Sequence, residues 1–206
     1  MANYKNVIPF ILKWEGGLSK NPSDFYAKYP VPDGSGYHTN KGIAWYNWAK
    51  IYGSSPSSIK EWYLMPSSKW EKVYHDYYWN GIKGDLINSQ RIADAMANWA
   101  WGSGQSKPIK ALQKILNVKV DGVIGNQTIS ALNAANENDV FNKFKAANIA
   151  YFKNLGNDPA NSPFMVGWFN RLNDFYDNFA SEIKKNSGKL SLIVLILIGG
   201  YFLLKK

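Results

Sequence analysis

Cysteine is absent from the 206-residue chain, which excludes disulfides and thiolate metal sites and leaves stability to packing. Histidine is almost absent: His38 and His75 are the only two, and no metal-ligand spacing occurs. Acidic residues are in the minority, 15 against 24 lysines and arginines, giving a formal charge of +9. Such a chain favours polyanions, whether nucleic acid, anionic lipid or a bacterial wall carrying stem-peptide carboxylates. The basic residues are scattered, and no ribonucleoprotein sequence or zinc knuckle is present, which argues against nucleic acid. Internal repeats and low-complexity segments are also missing. What abounds is aromatic: 9 Trp, 13 Tyr and 10 Phe. That load suits sugar-stacking grooves and serves equally well as an aromatic core.

Helical periodicity dominates. Tyr4, Val7, Ile8, Ile11 and Leu12 form an amphipathic stripe, Asn3 is placed to cap it, and Gly16-Gly17 stops it. Glu15 therefore sits at a helix C-terminus. Residues 21–42 are rich in proline and turn formers and read as an irregular loop region with room for a short hairpin. Further amphipathic helices open near Ser67, Ser89, Ser106, Asp139 and Ser162. Residues 190–204 (LSLIVLILIGGYFLL) carry no charge and are bracketed by lysines. As a helix they span roughly 22 Å, short of the roughly 30 Å hydrocarbon core but extendable by lysine snorkelling and local thinning. A core helix would be expected to carry a polar face, which this segment lacks apart from Ser191, so it reads as a membrane span.

Glycosidic hydrolysis needs one protonated carboxyl to assist the leaving oxygen and usually a second, ionised carboxylate. Glu15 has the address for the first role, because a helix C-terminus and the neighbouring Trp14 both disfavour a charge there. Asp24 and Thr39, further along, have plain readings of their own, an Asx turn after Pro22 and a loop hydroxyl. Glu15-Gly16-Gly17, Lys20-Asn21-Pro22-Ser23-Asp24 and Thr39-Asn40-Lys41-Gly42-Ile43 together resemble glycoside hydrolase family 108, the bacterial and phage muramidases. The resemblance implies Glu15 as catalytic acid, Asp24 as its ionised partner and Thr39 as the residue that orients water. The order Glu, Asp, Thr is also that of T-even phage lysozymes, with a longer gap here between Asp24 and Thr39.

Asn98 to Gly104, Ala111-Leu112-Gln113, Asp121 to Gly125 and Gly167 to Leu172 are similar to the peptidoglycan-binding region that follows the catalytic part in this family. Asn98 stands where members often have Asp and is not counted as catalytic. His38, Trp45 and Trp101 are candidates for substrate binding, with core packing as the alternative for the tryptophans.

The expected fold is mainly α: a lysozyme-like α+β arrangement with a small irregular or β loop region, a helical C-terminal lobe and a C-terminal transmembrane helix. The expected organisation is a catalytic part over residues 1–85, a peptidoglycan-binding-like part over 86–185, a linker over 186–189 and a membrane anchor over 190–206. The expected function is cleavage of the β-1,4 bond between N-acetylmuramic acid and N-acetylglucosamine in peptidoglycan. It needs no cofactor or metal and no nucleic acid, and belongs to a phage lytic enzyme held in a virion or host-cell membrane with a lipid bilayer as second partner. The alternatives are a lytic transglycosylase working through Glu15 alone and a noncatalytic wall-binding membrane protein.

Overall fold

The computed structural model describes residues 1–186, with side chains described through Asp177. The chain is mainly helical with a small three-stranded sheet. Asn3 accepts a hydrogen bond from the Lys5 amide and opens a 3-10 turn that leads into α1 (Ile8–Trp14). Val7, Ile8 and Ile11 are buried, whereas Leu12 is 41% exposed although it lies on the apolar stripe, so the buried face of this two-turn helix is a narrow seam. At Glu15 the backbone turns extended (φ −89°, ψ 127°) and leaves the helix.

Strands β1 (Leu18–Ser19), β2 (Thr39–Asn40) and β3 (Ile43–Ala44) pair antiparallel in that order. Asn40 faces Ile43 across a two-residue turn whose Lys41 and Gly42 both take positive φ, 45° and 75°. This is the turn hand that matches strand twist. Helices α2 (Trp45–Tyr52), α3 (Pro56–Leu64) and α4 (Ser67–Val73) follow. The continuous helix expected from Ser67 is broken: α4 passes into a π segment, Tyr74–Trp79, and then into 3-10 turns. Beyond them lie α5 (Gln90–Ser103), α6 (Ser106–Ile115), α7 (Asn126–Ala134), α8 (Glu137–Leu155) and α9 (Ser162–Asn186). Ser89 caps α5 by accepting from the Ile92 amide, and every residue from Ile92 to Ala100 is buried. A helix covered on all sides is the centre of its core.

Tryptophan builds that core and fixes the loop around it. Trp48, Trp62, Trp70 and Trp79 are fully buried, and each indole N–H has a partner, as a buried indole requires. Trp48 donates to Ser58 Oγ (3.0 Å) and Trp79 to Asp85 Oδ1 (2.7 Å). Trp62 donates to the Ile43 carbonyl (3.2 Å) and Trp70 to the Lys41 carbonyl (2.9 Å). Asn40, itself buried, returns a bond from Nδ2 to the Trp62 carbonyl (2.7 Å). The β2–β3 turn is thereby held from both sides by α3 and α4, and much of the aromatic load is structural.

The chain divides into two compact units, Met1–Asn148 and the part from Ile149 onward. In the second, Asp158 caps a 3-10 turn, Pro159–Asn161, ahead of α9, and Trp168 packs its ring against Phe152 and Phe164. The expected C-terminal transmembrane helix and membrane-anchored location are corrected here: among the described residues no helix is long and apolar enough to cross a membrane. The long helices α8 and α9 carry charged residues along their length, including Lys143, Lys145 and Lys153 on one and Arg171, Asp174 and Asp177 on the other. Residues 190–206, on which the anchor and the bilayer contact were placed, lie outside the described residues.

Candidate active site

Glu15, at the end of α1, is half-buried. Its Oε1 accepts a 2.5 Å hydrogen bond from the indole of Trp101, on α5 and 86 residues away. Its other oxygen lies against Gly42: a Cβ built there would stand 2.4 Å from Glu15 Oε2 and 2.6 Å from Trp101 Cζ2. Gly42 is thus required twice, for its positive φ and for the space it leaves to the carboxyl group. Gly16 and Gly17 are exposed, with open space where a side chain would project, so bare backbone borders the acid.

The ring of Trp101 sits among Trp70, Tyr74 and Tyr78, at centroid distances of 5.4, 5.6 and 4.5 Å. Trp70 on α4 and Tyr74 and Tyr78 on the π segment make this wall: spaced four residues apart, their rings lie near-parallel in one row, and π segments recur at functional sites. Burial pushes the Tyr78 phenol up to about 12, helped by the neighbouring negative charges of Tyr26 and Glu15. Tyr78 therefore stays a neutral hydroxyl beside the acid. Its spacing from Trp70 and Tyr74 puts it on one helical row, but nothing in the sequence says that this row faces Trp101.

Asp24, His38 and Thr39 form a second cluster. Asp24 heads a 3-10 turn, Phe25–Lys28, and its Oδ2 accepts from Ser19 Oγ (3.2 Å). His38 is buried, with Nε2 3.2 Å from the Asn21 carbonyl oxygen and 3.8 Å from Asp24 Oδ2. A carbonyl can only accept, so Nε2 carries the hydrogen. In neutral His38 the other nitrogen, Nδ1, then accepts from Thr39 Oγ1 at 3.0 Å. That bond aims the Thr39 hydroxyl hydrogen at the ring and turns its lone pairs away from it, where they can accept from a water. His38 is thus a partner of Thr39 within the protein rather than an open sugar contact.

The two clusters share one hairpin: Thr39 lies on β2 and Gly42 in the turn that β2 enters. Trp45 adjoins the second cluster through its backbone, its amide donating to the His38 carbonyl (2.8 Å), but its ring turns to the core. It is 5% exposed, packs edge-on against Trp62 at 5.9 Å, and reaches only the wall of a neighbouring cleft. Trp99 is buried against Phe144. The turn at Asp121 is closed by buried Gln113, whose amide donates to Asp121 Oδ1 and accepts from the Gly122 amide.

Residues 8–104 match the family model for glycosyl hydrolase 108, and residues 107–173 match a predicted peptidoglycan domain. The solved structure of Brucella abortus SagA is similar at 27% identity, covering 86% of this chain and 93% of that chain with a TM-score of 0.68. No curated protein matches.

Proposed function

Because the chain belongs to the glycosyl hydrolase 108 family and is a peptidoglycan hydrolase, we propose that it cleaves the β-1,4 bond between N-acetylmuramic acid and N-acetylglucosamine, with Glu15 as general acid. The observation that carries this reading is the setting of Glu15. An indole N–H donates to Oε1 and cannot accept, so in the protonated acid Oε1 is the carbonyl oxygen and the proton resides on Oε2. Oε2 is the oxygen for which Gly42 leaves room. The leaving glycosidic oxygen takes its proton there. Thr39, aligned by His38, accepts a hydrogen bond from the attacking water and so orients it, and Asp24 supplies the ionised carboxylate that balances the oxocarbenium-like charge and takes the proton the water loses as it adds.

The test is release of reducing ends from purified wall. Trp101→Phe keeps the ring and removes the donor, so kcat should fall roughly tenfold, about 1.4 kcal/mol of transition-state stabilisation, while KM stays within about twofold. An unchanged kcat would mean that the indole does not set the acid.

The charge of +9 adds a second expectation. Wall lysis should weaken as salt rises toward physiological strength, where the Debye length is about 8 Å, and cleavage of a short neutral oligosaccharide should respond less. Equal sensitivity for both substrates would show that net charge plays no part in wall engagement.

A further inference from the structure

The turn that follows Asp24 carries aromatic and cationic groups that bond cleavage leaves unused. Phe25 is 69% exposed and Tyr29 is 40% exposed. Tyr29 stacks on Tyr46 of α2, with ring centroids 4.6 Å apart and planes 28° from parallel. Beside this pair opens a shallow cleft of about 390 Å³, walled by Tyr29, Trp45, Tyr46 and Lys50 among others, a volume within the range of small-ligand sites. Lys50 lines it, and Lys28 lies against the ring of its Tyr29 wall. Lys28 Nζ lies 4.2 Å from the ring of Phe25 and 5.3 Å from that of Tyr29, and Lys50 Nζ lies 4.0 Å from Tyr46. Among the described residues neither ammonium meets a carboxylate at ion-pair distance.

Aromatic faces in an open cleft offer a pyranose ring an apolar surface. Two ammonium groups without acidic partners attract carboxylates. A neutral sugar would use the rings and leave the two ammonium groups, held only against aromatic rings, without an anionic partner, and a simple anion would leave the rings unused. The ligand that uses both is a sugar with a carboxylate-bearing substituent. We infer that this cleft binds a peptide-bearing muramyl residue of the glycan strand, its ring against Tyr29 and Tyr46 and a stem-peptide carboxylate between Lys28 and Lys50. The inference rests on the muramidase reading. The cleft is tied to the cleaving residues: Asp24 heads the turn that carries Lys28, and Asn47, next to Tyr46, donates to the Tyr26 hydroxyl on that turn (3.3 Å).

The test is the equilibrium affinity of the full chain, carrying Glu15→Gln to prevent cleavage, for two probes: wall glycan strands with their stem peptides and the same peptide-bearing strands with their carboxylates converted to amides by carbodiimide coupling. Lys28→Gln with Lys50→Gln should weaken binding of the strand with free carboxylates about tenfold and that of the amidated strand less than about twofold. Lys28→Arg with Lys50→Arg should keep the preference, and Tyr46→Ala should weaken both probes. Equal loss for the two strands, no loss for either, or no affinity of the lysine-bearing chain for the strand with free carboxylates would overturn the assignment. Failure of the muramidase reading shows itself separately, as a chain with Glu15 intact that releases no reducing ends from either strand.

Discussion

Gly42→Ala should reduce cleavage of purified wall by roughly a hundredfold or more, the loss expected when a catalytic group is displaced by about an ångström. Two causes add. Alanine at φ 75° carries a backbone cost of roughly 1–2 kcal/mol, and its methyl group would stand 2.4 Å from Glu15 Oε2 and 2.6 Å from Trp101. Neither neighbour can retreat without breaking the bond between them, because Trp101 is walled by Trp70, Tyr74 and Tyr78. Gly53 supplies the comparison: its φ is 76°, with open space where a methyl would go. Gly53→Ala should lower thermal stability through backbone strain alone and leave kcat near that of the unsubstituted chain. If both variants lose stability equally and neither loses kcat, contact between Gly42 and the acid has no catalytic consequence.

Glu15→Gln should lower kcat by roughly a hundredfold to ten-thousandfold, the range that general acid catalysis supplies. The amide oxygen can still accept from Trp101, so folding, thermal stability and wall binding should stay close to those of the parent. A glutamine cannot deliver a proton to the leaving oxygen. Circular dichroism and sedimentation with insoluble wall would establish that fold and binding persist, and a reducing-end assay would measure the loss. Appreciable cleavage by this variant would remove Glu15 from the acid role.

How much of this was legible in the sequence differs from residue to residue. The end of α1 could be read because an apolar stripe, a glutamate and two glycines follow a local rule. The short hairpin before Ile43 was half visible: Lys41 occupies a position with φ 45° where asparagine is the usual turn signal. The partnership of Glu15 with Trp101 was not visible, since they lie 86 residues apart and no periodicity encodes a tertiary partner. Trp101 therefore read only as a ring open to either sugar contact or core packing, with nothing to direct its indole N–H at the carboxyl group. Tyr78 follows Tyr74 by four residues and Trp70 by eight, so a helical pattern places it on their row; what the sequence does not encode is that this row faces Trp101, again a tertiary partner. Trp45 read as a candidate sugar contact or core ring because its residue type permits both; it is buried against Trp62 and lines the cleft beside Tyr46.

The most direct measurement of the central claim is the mass spectrum of the soluble products released from purified peptidoglycan by the full chain and by its Glu15→Gln variant. Hydrolysis with Glu15 as acid predicts muropeptides ending in a reducing N-acetylmuramic acid, each heavier by one water than the corresponding anhydro sugar, with the variant releasing almost none. Products ending in 1,6-anhydro-N-acetylmuramic acid, or reducing products in equal yield from the variant, would contradict it.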